Sequence, residues 1–161
     1  MSTVPSDEAV RVVPGRSTDL PAVMTIMTTA FEPGFGEGWT RSQCAGILPM
    51  TGVSLMLAQD HSRLAPVGFS LFRTVAWEAE LLLLAVAPDY QRHGIGRLLL
   101  DQFVECTRAA GANRVHLEVR DGNPAVQMYR QAGFTPVGRR SNYYRGSDGR
   151  QHDALTLARE L

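Results

Sequence analysis

The sequence predicts one α/β domain built around a mixed β-sheet. Its 161 residues suit a single domain, and 44% apolar with 20% charged residues is ordinary globular composition. A continuous apolar run at 80–87 is typical of a strand buried on both faces. Strand-like and helix-like segments alternate after it, which favours parallel pairing in that half of the chain.

Strand-like and helix-like segments follow one another along the whole chain. β-branched or apolar runs bounded by turn residues predict strands at 10–13, 53–59, 67–75, 80–87, 115–119, 134–137 and 154–158. Apolar residues at helical spacing predict helices at 18–31, 40–48, 95–111 and 123–133. Residues 1–8 are polar and predict a flexible leader, so the domain should occupy residues 9–161.

Capping residues define the predicted helix ends. Polar residues suited to an N-cap precede three of the helices: Thr18 or Asp19, Thr40 or Ser42, and Asn123. Pro124 then takes the first position of the fourth helix, and Gly133 suits its C-terminal end. The third helix follows a loop and should close near Gly111. A short polar turn separates 53–59 from 67–75, which predicts an antiparallel hairpin.

Composition excludes several classes of function. The formal net charge is zero, so the chain lacks the basic excess typical of nucleic-acid binding. All 16 basic residues are arginine, which rules out a lysine Schiff base and the lysine of a P-loop. Cys44 and Cys106 are far apart and match neither a disulfide framework nor a metal-ligand spacing.

The sequence also favours a cytoplasmic protein that binds no membrane. The longest apolar run, at 81–87, is far shorter than the ~20 residues of a membrane-spanning helix. The first residues lack the basic and apolar regions of a secretion signal. We expect a monomer or a weak dimer.

A basic, glycine-bearing loop joins the buried strand to the third helix. Gly94 and Gly96 have no Cβ, so the backbone can approach a ligand closely. The first amides of a helix have no helical partner, and with the helix dipole they form an anion site. Arg92 and Arg97 add positive charge, so the loop is predicted to bind a pyrophosphate. The dinucleotide-binding fingerprint does not fit, because its third glycine would stand at Leu99.

The string Gln-Arg-His-Gly-Ile-Gly at 91–96, after Val-Ala-Pro at 86–88, resembles the coenzyme A signature of the GCN5-related N-acetyltransferase (GNAT) superfamily. The resemblance implies acetyl-CoA as co-substrate, no metal, and a mixed sheet of about seven strands flanked by about four helices. It implies that the pyrophosphate is held by backbone amides of Arg92, His93, Gly94, Ile95, Gly96 and Arg97. It also implies that the pantetheine arm pairs with Leu84, Ala85 and Val86 like an added strand.

Downstream segments resemble one branch of that superfamily, the RimI-type bacterial ribosomal-protein-alanine N-acetyltransferases. The branch resemblance is carried by segments at 35–40, 138–144, 148–150 and 153–155, whereas those at 117–120 and 129–134 resemble the later part of the superfamily as a whole. It implies acetyl transfer to the N-terminal α-amine of a small-subunit ribosomal protein that begins with alanine. Two alternatives stay open: a small-molecule amine acetyltransferase, for an antibiotic or a polyamine, and a non-catalytic coenzyme A-binding sensor.

The resemblance also assigns a general base and a general acid. It implies that Glu118 takes the proton of the acceptor amine, through a water. The alternative is a surface glutamate paired with Arg120 or Arg114, and Glu78 or Glu80 is a rival base. A proton-transfer group of this kind contributes ~10²–10⁴-fold to rate.

Tyr129 is implied to protonate the departing thiolate, and its alternative is a core tyrosine that packs the fourth helix. Asn123 is implied to contact the coenzyme A arm. The superfamily pattern usually places these two residues seven apart, whereas here they are six apart. That shortening puts the role of Asn123 in doubt.

Residues for the acceptor are predicted in two segments. Glu37 could receive the substrate ammonium, and Trp39 with Phe35 could wall the groove or anchor the loop to the core. Tyr143 and Tyr144 could form the opposite wall, or pack in a half-buried strand.

Overall fold

The computed structural model describes residues 9–63 and 65–161, and the predicted leader at 1–8 lies outside the described residues. The described strands are β1 (Val10–Pro14), β2 (Val53–Asp60), β3 (Pro66–Val75), β4 (Glu78–Val86), β5 (Arg114–Arg120), β6 (Thr135–Arg145) and β7 (Gln151–Glu160). The described α-helices are α1 (Leu20–Ala30), α2 (Arg41–Ile47), α3 (Ile95–Ala109) and α4 (Ala125–Gln131). The predicted order of elements is confirmed.

One seven-stranded mixed sheet forms the centre of the molecule, in the order β1-β2-β3-β4-β5-β7-β6. Strands β4 and β5 are parallel, and the other described neighbours are antiparallel, including the predicted β2–β3 hairpin. The fold class is confirmed. In the second half of the chain, parallel pairing is limited to β4 and β5 and is therefore less extensive than predicted. The reason is that β7 lies between β5 and β6 as an antiparallel strand.

Helices cover both faces of this sheet. On one face α1 and α2 pack against β2, β3 and the end of β4, with Leu57 and Phe69 at the centre of the cluster. On the other face α3 and α4 pack against β4, β5 and β7, where Phe103 and Leu117 are buried. Full burial of one such side chain contributes about 1.5–3 kcal/mol.

A bulge in β4 opens the sheet. The register with β3 shifts between Leu71 and Phe72, so that Leu82 is an extra residue in β4. β4 and β5 pair only from Glu78 to Leu81 of β4 and from Arg114 to Leu117 of β5. Beyond that point the two strands separate, because an added residue bends its strand and increases the local twist.

β6 is much longer than its predicted span of 134–137. Nearly all of its side chains are exposed, so it has none of the apolar alternation on which the prediction relied. Pairing with β7 holds it in the sheet, and β7 is likewise longer than predicted.

Candidate active site

The separated ends of β4 and β5 form a cleft in the middle of the sheet. Its walls come from both strands, α4, the loop before α2 and the end of β6: Phe31, Glu37, Leu81, Leu82, Leu83, Leu84, Leu117, Glu118, Val119, Asn123, Ala125, Tyr129 and Tyr144. Past Leu81, the backbone edge of β4 that faces β5 has no strand partner there. An extended ligand can satisfy such an edge by adding as a strand. Leu84, Ala85 and Val86 all lie on this stretch.

The glycine-bearing loop precedes α3 in a conformation suited to an anion. Gly94 caps α3 with φ +78°, and Arg92 also has a positive φ of +64°. The first bond into the helix runs from the Leu98 amide to the Gly94 carbonyl at 3.0 Å. The amides of Ile95, Gly96 and Arg97 therefore precede the helical hydrogen-bond ladder. A Cβ on Gly94 would meet nothing within 4 Å, so this side of the loop has room for a ligand.

Side chains tie this loop to the end of β4. Gln91 donates from Nε2 to the Val86 carbonyl at 3.0 Å. Arg92 is exposed and His93 is half-buried. Arg97 forms an exposed ion pair with Asp101 at 2.9 Å, so its guanidinium already has an acidic neighbour.

Glu118 lies on the β5 wall of the cleft with its side chain 11% exposed. Its Oε2 accepts from the Thr156 hydroxyl at 2.8 Å, and its Oε1 is 3.1 Å from Arg140 Nε. The alternative in which it pairs at the surface with Arg120 or Arg114 is wrong, because its partners are different and it lines the cleft.

The loop between α1 and α2 is held by a buried ion pair. Glu37 Oε1 is 3.1 Å from Arg120 Nε, and each side chain is only 10% exposed. Asn123 Nδ2 donates to the same oxygen at 2.9 Å. The Arg120 guanidinium also stacks 3.7 Å from the centre of the Phe35 ring, which fixes the loop from a second side.

This network bears on two of the predicted roles. Glu37 does line the cleft, but its carboxylate already has Arg120 as a countercharge. Asn123 Oδ1 accepts from the Ala125 amide at 2.9 Å, at the start of α4, which begins one residue later than predicted, with Pro124 as its N-cap. Sequence reasoning did not include Arg120 among the site residues. The available signal was a charged residue at the buried end of a strand, which requires a partner.

Two tyrosines of the cleft keep their protons at neutral pH. Burial raises the pKa of Tyr129, and the negative charge of Glu37 adds to the effect. The pKa of Tyr144 is raised by the same two causes in the same order. Both hydroxyls can therefore donate a hydrogen bond or a proton to a group in the cleft.

The other predicted acceptor residues lie elsewhere. Tyr143 is 49% exposed and is not part of the cleft wall, whereas its neighbour Tyr144 is. Trp39 packs against the α1 cluster, as an anchor for the loop.

Glu80, the rival base, lies at the paired end of β4, 3.7 Å from His116 Nε2, and that contact raises the pKa of His116.

Within 9–63 and 65–161 there is no group of three or more His, Cys, Asp or Glu side chains that could hold a metal ion. Nor does any helix in those two ranges combine the length and apolar character needed to cross a membrane.

A mixed sheet that parts between two parallel strands, with unpaired helix-start amides beside the gap, is the arrangement expected of a coenzyme A-dependent acyltransferase. The profile of the Acetyltransferase (GNAT) family matches residues 20–134. The Escherichia coli K12 [ribosomal protein bS18]-alanine N-acetyltransferase is 34% identical over 143 residues, covering 88% of this chain and 91% of that protein.

Solved structures agree with this match. The crystal structure of the Escherichia coli ribosomal-protein-S18-alanine N-acetyltransferase has a TM-score of 0.83 at 30% identity, covering 94% of both chains. Arabidopsis thaliana NAA60 in complex with acetyl-CoA shares the fold, with a TM-score of 0.83 at 18% identity, covering 94% of this chain and 98% of that one. The chain belongs to the GNAT acetyltransferase family. It is an N-acetyltransferase, and acetyl-CoA is its acetyl donor.

Proposed function

We propose that this protein acetylates the N-terminal α-amine of a small-subunit ribosomal protein that begins with alanine. The Escherichia coli relative that matches 88% of the chain carries this activity in its name. The observation that carries the proposal is the cleft, where the largely buried carboxylate of Glu118 and two protonated tyrosines lie beside the free edge of β4. We also propose that the reaction takes place in the cytoplasm, where ribosomal proteins are made.

The cofactor would be held by backbone groups on two elements. Backbone amides from Arg92 to Arg97 bind the pyrophosphate, including those that precede the helical ladder of α3. The open edge of β4 at 84–86 pairs with the pantetheine arm. The room beside Gly94 and the unpaired edge past Leu81 both fit this placement. When bound, acetyl-CoA supplies the activated acetyl thioester.

Glu118 acts as the general base. An α-ammonium has a pKa of ~8, so at neutral pH the base needs to give only modest help in removing its proton. Arg140 and Thr156 orient the carboxylate, leaving it able to accept a proton through a water. The neutral amine then attacks the thioester carbonyl.

Tyr129 acts as the general acid. A departing thiolate has a pKa of ~8.5, and the hydroxyl of Tyr129 stays protonated because burial raises its pKa. It can thus donate its proton to the sulfur as the C–S bond breaks. Cys44 and Cys106 do not line the cleft, so we expect direct transfer without an acetyl-cysteine intermediate.

The test is thiol release from acetyl-CoA with an alanine-starting peptide, compared with the same peptide carrying a blocked N-terminus. We expect release with the free peptide and none with the blocked one. Equal thiol release with both peptides would refute the proposal. Tight acetyl-CoA binding without release for any peptide or amine would favour the non-catalytic sensor.

A second candidate, a small-molecule amine acetyltransferase, is favoured by one observation. The α1–α2 loop and the β6–β7 turn touch, through a bond from the Ser147 amide to the Pro33 carbonyl at 2.9 Å. His152 Nε2 also lies 3.1 Å from the Gly34 carbonyl. These contacts bridge the two loops between which an open peptide groove would run, which suits a small acceptor. A higher kcat/KM for a polyamine than for the peptide would establish this alternative.

A further inference from the structure

The pairing of β6 with β7 contains a two-residue bulge close to the cleft. Arg140 lies opposite Ala154, and Tyr144 lies opposite His152. Between these pairs β7 has one residue, Asp153, whereas β6 has three, at 141–143. β6 therefore carries two residues more than a regular ladder would place there.

The bulge decides which side chain of β6 reaches the cleft. In a regular antiparallel ladder that continues from Arg140 and Ala154, the residue opposite His152 would be Asn142. The two added residues move Tyr144 into that position. Tyr144 thereby lines the same cleft as Glu118 and Tyr129.

Asp153 holds this bulge from the opposite face of the sheet. Its Oδ1 accepts from the Asn142 amide at 2.9 Å, which replaces the lost ladder bond. Its Oδ2 accepts from Arg139 Nη1 at 2.9 Å, and Arg139 also donates to Asp121 at 2.8 Å. These bonds hold the pKa of Asp153 below its usual value.

The backbone of the bulge depends on this support. Asn142 has φ +55°, a left-handed conformation that asparagine tolerates better than most residues and β-branched residues strongly avoid. The side chains at 141–143 are exposed, and the packing described there is the edge-on contact of the Tyr143 ring with Tyr144, with 4.9 Å between the ring centroids. The Asp153 carboxylate is the main described contact that fixes the Asn142 amide.

We propose that Asp153 is a positioning residue for the acceptor side of the reaction. The described hydrogen bonds of its carboxylate go to Asn142 and Arg139, which do not line the cleft, so it acts by fixing the bulge that presents Tyr144. The inference rests on the proposed function, since it takes the cleft to be the place where the acceptor amine binds.

The test is a double-mutant cycle on Asp153→Ala and Tyr144→Ala, read as kcat/KM for the acceptor and KM for acetyl-CoA. Misplacing a group by about 1 Å can cost ~10²-fold in rate, so we expect Asp153→Ala to lower acceptor kcat/KM by about tenfold or more. The KM for acetyl-CoA should change by less than about twofold. The double variant should be no worse than Tyr144→Ala, because residues that act through one another are not additive. Full additivity, or an equal loss for acetyl-CoA, would overturn the proposal.

Two further variants keep the result independent of a folding defect. Asn142→Val opposes the positive φ and should reproduce the pattern of Asp153→Ala, whereas Asn142→Gly keeps that φ and should behave like the wild type. Hydrogen exchange at the Asn142 amide reads the bulge directly, and it should accelerate in Asp153→Ala but not in Asn142→Gly. Unchanged exchange in Asp153→Ala overturns the inference whatever the acceptor is. Absence of turnover in the wild type with every amine instead overturns the proposed function.

Discussion

Replacing Arg120 by methionine should destabilise the protein strongly, because it leaves the Glu37 carboxylate without its countercharge. Both side chains are 10% exposed and lie 3.1 Å apart. Removing one partner of a buried ion pair costs about 3–5 kcal/mol. The stacking of the guanidinium on Phe35 adds about 0.5–2 kcal/mol. The α1–α2 loop can swing toward water and recover part of this, so we take about 3 kcal/mol as the expected loss.

The measurement is urea and thermal unfolding followed by circular dichroism. For a chain of this size 1 kcal/mol lowers Tm by about 2–4 °C, so Arg120→Met should lower it by about 6–12 °C. The double variant with Glu37→Met removes both charges and should regain most of that stability. Arg108→Met is the matched control, since its pair with Glu105 is exposed and worth about 0–1 kcal/mol. A double variant as unstable as Arg120→Met, or a single variant within about 1 kcal/mol of the wild type, would refute the reasoning.

Three further predictions concern the chemistry. Glu118→Gln should lower kcat by about 10²–10⁴-fold at neutral pH, and by less above pH ~8, where the amine deprotonates unaided. The control Glu80→Gln should keep a kcat near that of the wild type. A loss for Glu118→Gln that does not vary across the pH–rate profile would place the base elsewhere. Tyr129→Phe should lower kcat to a similar degree without changing the KM for acetyl-CoA. In the wild type the alkaline limb due to Tyr129 should lie above pH ~10, because burial raises its pKa, and a limb below that value would count against Tyr129 as the acid. Gly94→Val should weaken acetyl-CoA binding measured by calorimetry. Gly111→Val is the control, because Gly111 also has a positive φ and open space around it, and this variant should lower stability but leave the affinity for acetyl-CoA intact. Equal affinities in the two variants would refute the proposed pyrophosphate site.

The sequence predicted the elements that are decided by local patterns. The buried apolar run of β4 and the amphipathic α3 were found because their side chains meet the core at fixed periods. β6 was found only at its first residues, because the rest of the strand is exposed and its pairing with β7 depends on contacts across the chain. Gly94 was singled out from the sequence because it has no Cβ, and it lies at the start of α3 with φ +78°, a conformation that favours glycine.

The candidate site was predictable in part, and the misplaced residues share one cause. Glu37 and Arg120 are 83 residues apart, and no local pattern pairs them. Tyr143 and Tyr144 are neighbours, so the choice between them depends on strand register. The bulge that sets this register is stabilised by Asp153, which comes from the next strand. Long-range hydrogen bonds of this kind determine which side of a strand faces the cleft, and sequence periodicity does not report them.

Two irregularities in the sheet thus account for the geometry of the cleft. The bulge at Leu82 parts β4 from β5 and leaves a backbone edge free, whereas the bulge at 141–143 delivers Tyr144 to the same space. Each leaves backbone groups without ladder bonds: the Asp153 carboxylate compensates at 141–143, and a strand-like ligand can pair with the β4 edge that faces β5. The first bulge is built into a core strand with apolar packing on both faces, so the wall that we propose for the cofactor is fixed by the fold itself. The second lies in an exposed edge strand and depends on a few polar contacts. Acceptor preference should therefore change through substitutions at 139–144 and at Asp153 far more readily than cofactor preference changes through β4.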